Sequence, residues 1–92
     1  MELLSEEEIQ AGLAGVPAWS RDGAAISRTF DCGDFKGAVA LLNAVTELAE
    51  TLNHHPDVAI AWKDLTLTLS THSLGGLTAG DFELARRIDA LA

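Results

Sequence analysis

Asn53-His54-His55-Pro56-Asp57-Val58-Ala59-Ile60-Ala61-Trp62-Lys63-Asp64-Leu65-Thr66-Leu67-Thr68-Leu69-Ser70-Thr71-His72 reads as one β-hairpin with every histidine of the chain at its open end. Val58, Ile60 and Trp62 alternate with Asp57, Ala59 and Ala61, and Leu65, Leu67 and Leu69 alternate with Thr66, Thr68 and Ser70. Successive strand side chains point to opposite faces, so each run has one apolar side, and Trp62 falls with Ile60 and Val58 on the side expected to be core. With Lys63 and Asp64 as the central turn residues, Trp62 faces Leu65, Ile60 faces Leu67, and His55 faces His72, with Cβ atoms about 5 Å apart. Pro56 and the untypical Lys-Asp turn leave room for a shift of a residue or two, which keeps the histidines near one another but not that pairing.

Upstream, Phe35, Ala38, Val39, Leu42, Val45, Ala49 and Leu52 recur at three- and four-residue steps behind Asp34, a suitable N-cap, and predict the longest helix. It must end near Asn53, because Pro56 pushes His55 toward extended geometry. Before it, Trp19-Ser20-Arg21 and the run from Ala25 to Phe30 flank Asp22-Gly23, a tight-turn dipeptide, and predict a first hairpin. Ser5 and Glu8 form a capping box for a first helix that carries Ile9 and Leu13 and stops by Gly15-Val16-Pro17. Past Gly75-Gly76, Thr78 and Asp81 form a second capping box ahead of Phe82, Ala85, Ile88 and Leu91. The predicted fold is α+β in the order α-β-β-α-β-β-α, an antiparallel four-stranded sheet with three helices on one face.

At 92 residues the chain has length for one core, and it is read as a single domain over 1–92. Its 14 Asp and Glu against 6 Lys and Arg give a net charge of -8, which repels a phosphate backbone and makes nucleic acid a poor direct partner. No run approaches the roughly 20 apolar residues that span a bilayer, and Glu2, Glu6, Glu7 and Glu8 spoil a basic leader, so a soluble, cytoplasmic protein without membrane partners is expected. Cys32, the single cysteine, closes no internal disulfide and provides no sulfur-rich zinc site.

Imidazole gives and takes protons near neutrality, so His54, His55 and His72 around one pocket suit acid/base elimination. The competing readings are hydrogen-bonded loop histidines without chemistry, and a zinc site. The adjacent pair would diverge if extended and the nearby carboxylates fall into no familiar ligand spacing, so zinc ranks well below acid/base work and no metal is expected.

Glu50-Thr51-Leu52-Asn53-His54-His55-Pro56, followed by Trp62, His72 and Asp81 at their spacing, resembles the signature of the pterin-4a-carbinolamine dehydratases. Leu69-Ser70-Thr71-His72, Gly76-Leu77, Trp19 and the run from Ala25 to Phe35 are similar too, so the resemblance covers nearly the whole chain. Cys32 departs from it, standing where many members have phenylalanine. The resemblance implies this same fold assembled as homodimers or homotetramers. It also implies loss of water from a 4a-hydroxytetrahydropterin to give the quinonoid dihydropterin, the pterin being the substrate and no cofactor being needed. His54, His55 and His72 occupy the family's active-site histidine positions; His54 and His72 are expected at the reacting C4a and N5 atoms, with His55 holding the pterin. Glu50, one helical turn before His54, either raises a histidine's pKa, bonds the pterin, or is a solvated helix carboxylate. Asp81 fills the last signature position, though its capping role is sufficient by itself. Trp19 and Trp62 are candidate walls of the pterin pocket, although an aromatic in a strand is more often core, the reading favoured for Trp62. The alternatives are a binding module without chemistry, as in relatives that stabilise the dimer of a homeodomain transcription factor, or an enzyme acting on a pterin of molybdenum-cofactor metabolism.

Overall fold

The computed structural model describes residues 2–92. In chain order the elements are α1 (Glu6–Gly15), β1 (Ser20–Asp22), β2 (Ala25–Asp31), α2 (Phe35–Leu52), β3 (Asp57–Ala61), β4 (Asp64–Leu69), a short 3-10 turn (His72–Leu74) and α3 (Ala79–Leu91). This is the predicted order, with the 3-10 turn added. Helix starts follow the caps. The Ser5 hydroxyl accepts from the Glu8 N–H at 3.2 Å while Glu8 Oε1 accepts from the Ser5 N–H at 2.9 Å. The bond from the Ser5 N–H foremost, and then the Ser5 hydroxyl acting on the carboxyl, hold the Glu8 carboxyl below its ordinary value. Asp34 Oδ1 accepts from the Gly37 N–H at 2.7 Å and opens α2.

The sheet is antiparallel throughout, in the order β1-β2-β4-β3. The register sets Ile26 opposite Leu69 and Phe30 opposite Leu65, so these residues share the face that holds Leu67. One core cluster joins them to Ile9 of α1, Ala38 and Val45 of α2, and Phe82, Leu84, Ala85 and Ile88 of α3. All three helices therefore cover the same face. The opposite face carries Ser27, Thr29, Thr66, Thr68 and Ala59, with the Thr29 and Thr66 hydroxyls 2.9 Å apart. A half-buried clasp fastens the far end of α3: Asp89 Oδ1 accepts from the Trp19 indole N–H at 2.8 Å and from Arg28 at 2.6 Å. Trp19 is 4% exposed and meets Phe30 edge to face.

The second hairpin departs from the expected pairing. Ile60 faces Leu65 and Ala61 faces Asp64, which makes Trp62-Lys63 the central turn pair. The slip is two residues along the partner strand, so the alternation of faces survives while Trp62 leaves the strand. It is 69% exposed, with φ at 52°, and is not core. Lys63 holds the turn there: its carbonyl accepts from the Cys32 N–H at 2.8 Å and its ammonium reaches Asp31 at 2.7 Å. Strand β3 lies at the sheet edge, which leaves Val58 exposed and Ile60 only partly covered. Phe35, expected on the apolar face of α2, is also exposed.

At Gly37, α2 runs close against the preceding loop: a Cβ there would stand 2.2 Å from the Cys32 carbonyl oxygen. Helix propensity alone favours alanine by about 1 kcal/mol. The clash is with backbone and reverses that sign, so Gly37→Ala is expected to destabilise the fold by about 1–3 kcal/mol. The check is urea unfolding, with a lower midpoint at unchanged slope; an unchanged or higher midpoint would contradict the packing described.

Candidate active site

Helix α2 stops where Asn53 takes the left-handed conformation, with φ at 49° and ψ at 45°. Asparagine tolerates this region, and the His54 N–H then closes onto the Ala49 carbonyl at 3.0 Å. The reversal separates the two adjacent histidines. His54 turns inward, its side chain 11% exposed, and its Nε2 lies 2.5 Å from Oδ1 of Asp81, whose side chain is wholly buried. His55 remains exposed, with Nε2 2.5 Å from Glu50 Oε2. Glu50 therefore partners His55, five residues on, and not His54, because the chain has already left the helix.

Asp81 has two tasks. As residue three of the α3 capping box, its Oδ2 accepts from the Thr78 N–H at 2.9 Å. The same oxygen accepts from the Thr71 hydroxyl at 2.9 Å, and Thr71 Oγ1 lies 2.8 Å from Thr78 Oγ1. Thr71 also opens the tight loop that carries His72: its N–H donates to the Gly76 carbonyl at 2.8 Å, and its carbonyl accepts from Leu74 and Gly75. Gly75 makes the reversal at φ 70°, a region glycine enters without a Cβ penalty. His72 is exposed, and its Nε2 lies 3.4 Å from Oδ2 of Asp57, the first residue of β3.

The three imidazoles thus meet three different carboxylates, all through Nε2. The contacts chain together, from His54 through Asp81 to Thr71, across one peptide to His72, then to Asp57, two residues from His55. They draw the end of α2, the start of β3, the loop after β4 and the start of α3 to one end of the sheet. The direct His55–His72 pairing does not form: the observed register would set His55 against Ser70, and β3 begins only at Asp57. Sequence reasoning gave no role to Asp57 or Thr71, although each flanks a histidine motif.

Trp19 does not join this group. It is held by Asp89, eight residues from Asp81 and so about 12 Å away along the axis of α3. A groove of ≈ 170 Å³ beside the pair of Glu50 and His55 is lined by Leu42, Val45, Thr46, Ala49, Pro56 and Val58. A larger depression of ≈ 270 Å³, bounded by Leu3, Leu4, Ile9, Arg21 and Leu77 among others, includes none of the site residues. Among the described residues, no group of three or more His, Cys, Asp or Glu side chains is placed to hold a metal ion, and no helix is long and apolar enough to cross a membrane.

Known proteins are similar to this chain over nearly its whole length. A protein of Nocardia farcinica named "Putative pterin-4-alpha-carbinolamine dehydratase" is 53% identical over 91 residues, 99% of this chain and 96% of its own length. One of Sulfurisphaera tokodaii with the same name is 45% identical over 99% of this chain and 98% of its own. Among solved structures, a Brucella melitensis protein described as a transcriptional coactivator/pterin dehydratase superposes with a TM-score of 0.93 at 33% identity, covering 99% of both chains. A pterin dehydratase-like protein described as a RuBisCO assembly factor shares the fold, with a TM-score of 0.66 at 24% identity over 80% of this chain and 86% of its own. The sequence model of the family described as pterin 4 alpha carbinolamine dehydratase matches residues 2–91, and the chain belongs to that family.

Proposed function

We propose that this protein dehydrates 4a-hydroxytetrahydropterins. The observation that carries the reading is the gathering of three imidazole–carboxylate pairs at one end of the sheet, in a family named for this reaction. In the elimination the N5 proton goes to a base, the N5–H electron pair becomes the second bond of C4a=N5, and the C4a–O bond breaks. The hydroxyl takes one proton as it leaves, so the products are quinonoid dihydropterin and one water, with no net change in protons. His54 and His72 make the two transfers, and His55 with Glu50 holds the ring. Asp81 acts through His54, and Trp19 belongs to the packing of α3. A purely binding role would give no chemical use to the nearly covered His54 imidazole held against the buried Asp81 carboxylate. The direct test mixes the protein with freshly made 4a-hydroxytetrahydropterin and follows dihydropterin absorbance against the uncatalysed dehydration; an unchanged rate would refute the proposal.

The reaction needs only proton transfer, and the proposed enzyme uses no metal, flavin or nicotinamide. Activity is therefore expected to persist after exhaustive chelation. Loss on chelation, with recovery on adding zinc, would contradict this.

The working form is a homodimer or homotetramer. Phe35, Val58 and Trp62 are exposed, and β3 offers an open sheet edge, the features that drive pairing with a second copy. Sedimentation at micromolar concentration is expected to give at least a dimer, and a monomer would exclude it.

A further inference from the structure

We propose that Thr71 is a positioning residue which, through Asp81, fixes His54 with its proton on Nε2, so that Nδ1 is the atom that takes the N5 proton. This rests on the dehydratase reading above. The Asp81 carboxylate only accepts hydrogen bonds, and its Oδ2 is engaged by two donors, the Thr78 N–H and the Thr71 hydroxyl. Oδ1 is then turned to His54, and at 2.5 Å it requires the hydrogen on Nε2. The Thr71 hydroxyl, donating to Asp81, uses its lone pair for Thr78 Oγ1 at 2.8 Å.

The other ring nitrogen is open. Among the described residues, His54 Nδ1 has no protein partner, yet no buried side-chain nitrogen or oxygen is left unsatisfied. Nδ1 therefore reaches solvent, although the ring is mostly covered, and a ligand over the site meets its lone pair. When that lone pair takes the N5 proton, the resulting imidazolium is paired with the Asp81 carboxylate. His72, as the partner acid, delivers the proton to the departing hydroxyl. His55 and His72 contact exposed carboxylates, which lack a buried set of donors to fix their orientation. Thr71 matters doubly because its backbone shapes the loop that carries His72 while its hydroxyl sets Asp81.

The test uses the full chain, labelled with nitrogen-15, and Thr71→Val, a change that removes the hydroxyl at nearly constant shape. In the wild type without ligand, the His54 ring is expected to show a protonated Nε2 and an unprotonated Nδ1. In Thr71→Val the His54 signals should move toward a tautomer mixture while those of His55 stay. Turnover should then fall by about ten- to a hundredfold, the scale for losing a group that orients a histidine, with KM little changed. Thr71→Ser should restore both. Thr66→Val, which removes a hydroxyl from the outer sheet face, is the control and should change neither. A wild-type His54 protonated on Nδ1 overturns the proposal even if Thr71→Val fails to fold, and so does a folded Thr71→Val with unaltered His54 signals and turnover. An inactive wild type with the expected spectrum overturns the dehydratase reading and with it the catalytic part of this one; the unexpected spectrum in an active wild type overturns this one alone.

Discussion

Alanine at His54 or at His72 is expected to lower dehydratase turnover by about a hundredfold or more, the usual scale for one general acid or base. On the proposed mechanism both residues act in one elimination, so the double replacement should cost far less than the product of the single losses. The structure adds a difference between them. His54 is nearly covered and holds a buried carboxylate, so His54→Ala should also lower the melting temperature, whereas His72 is exposed and its replacement should leave stability almost unchanged. His55→Ala, at the exposed partner of Glu50, should act mainly by raising KM. Steady-state kinetics and thermal melts of the three folded variants check this; near wild-type turnover in both His54→Ala and His72→Ala would return the histidines to ordinary surface and loop residues.

Asp81 should show the second large effect, and on two separate readouts. Asp81→Ala removes the residue-three half of the α3 capping box and leaves donors of Thr71, Thr78 and His54 short of an acceptor, at a cost of about 1–3 kcal/mol or more. Against a total stability of about 5–15 kcal/mol for a domain this is a large share. In a chain of this size it corresponds to a drop of about 10 °C or more in melting temperature. Asp81→Asn separates the tasks. Its amide oxygen can still accept from the Thr78 N–H and keep α3 capped, but its amide nitrogen then points a donor at His54 Nε2. The expected result is a protein that melts near the wild type and turns over about a hundredfold more slowly or worse, because the imidazole is held in the wrong tautomer. Wild-type kinetics in a folded Asp81→Asn would show that the carboxylate is only a cap.

That Asp81 has both jobs marks the boundary of what local pattern reveals. The cap was legible because its partner, Thr78, lies three residues away; the contact with His54 spans 27 residues and depends on how α2 and α3 pack. The fold was legible for a similar reason. Ser5 with Glu8, Asp34, and Thr78 with Asp81 announce three helix starts, and Leu65, Leu67 and Leu69 announce a strand with one buried face. Alternation continues through Trp62 and points it to the core, whereas the contacts that put it in the turn come from Lys63 to Asp31 and Cys32, about thirty residues earlier at the end of β2. Helical spacing puts Glu50 one turn from His54, a rule that fails once Asn53 leaves the helix.

The central pairing of β2 with β4 has a consequence for a chain leaving the ribosome. Phe30 waits for Leu65, and Ile26 waits for Leu69, so the middle of the sheet cannot close until well over thirty further residues have been added. At about 5–20 residues per second, the nascent β1–β2 hairpin spends about two to seven seconds with its apolar face uncovered, and the completed α2 about one to three. Chaperone occupancy should therefore be highest on intermediates stalled between α2 and β4, and should fall sharply once Leu69 has cleared the exit tunnel.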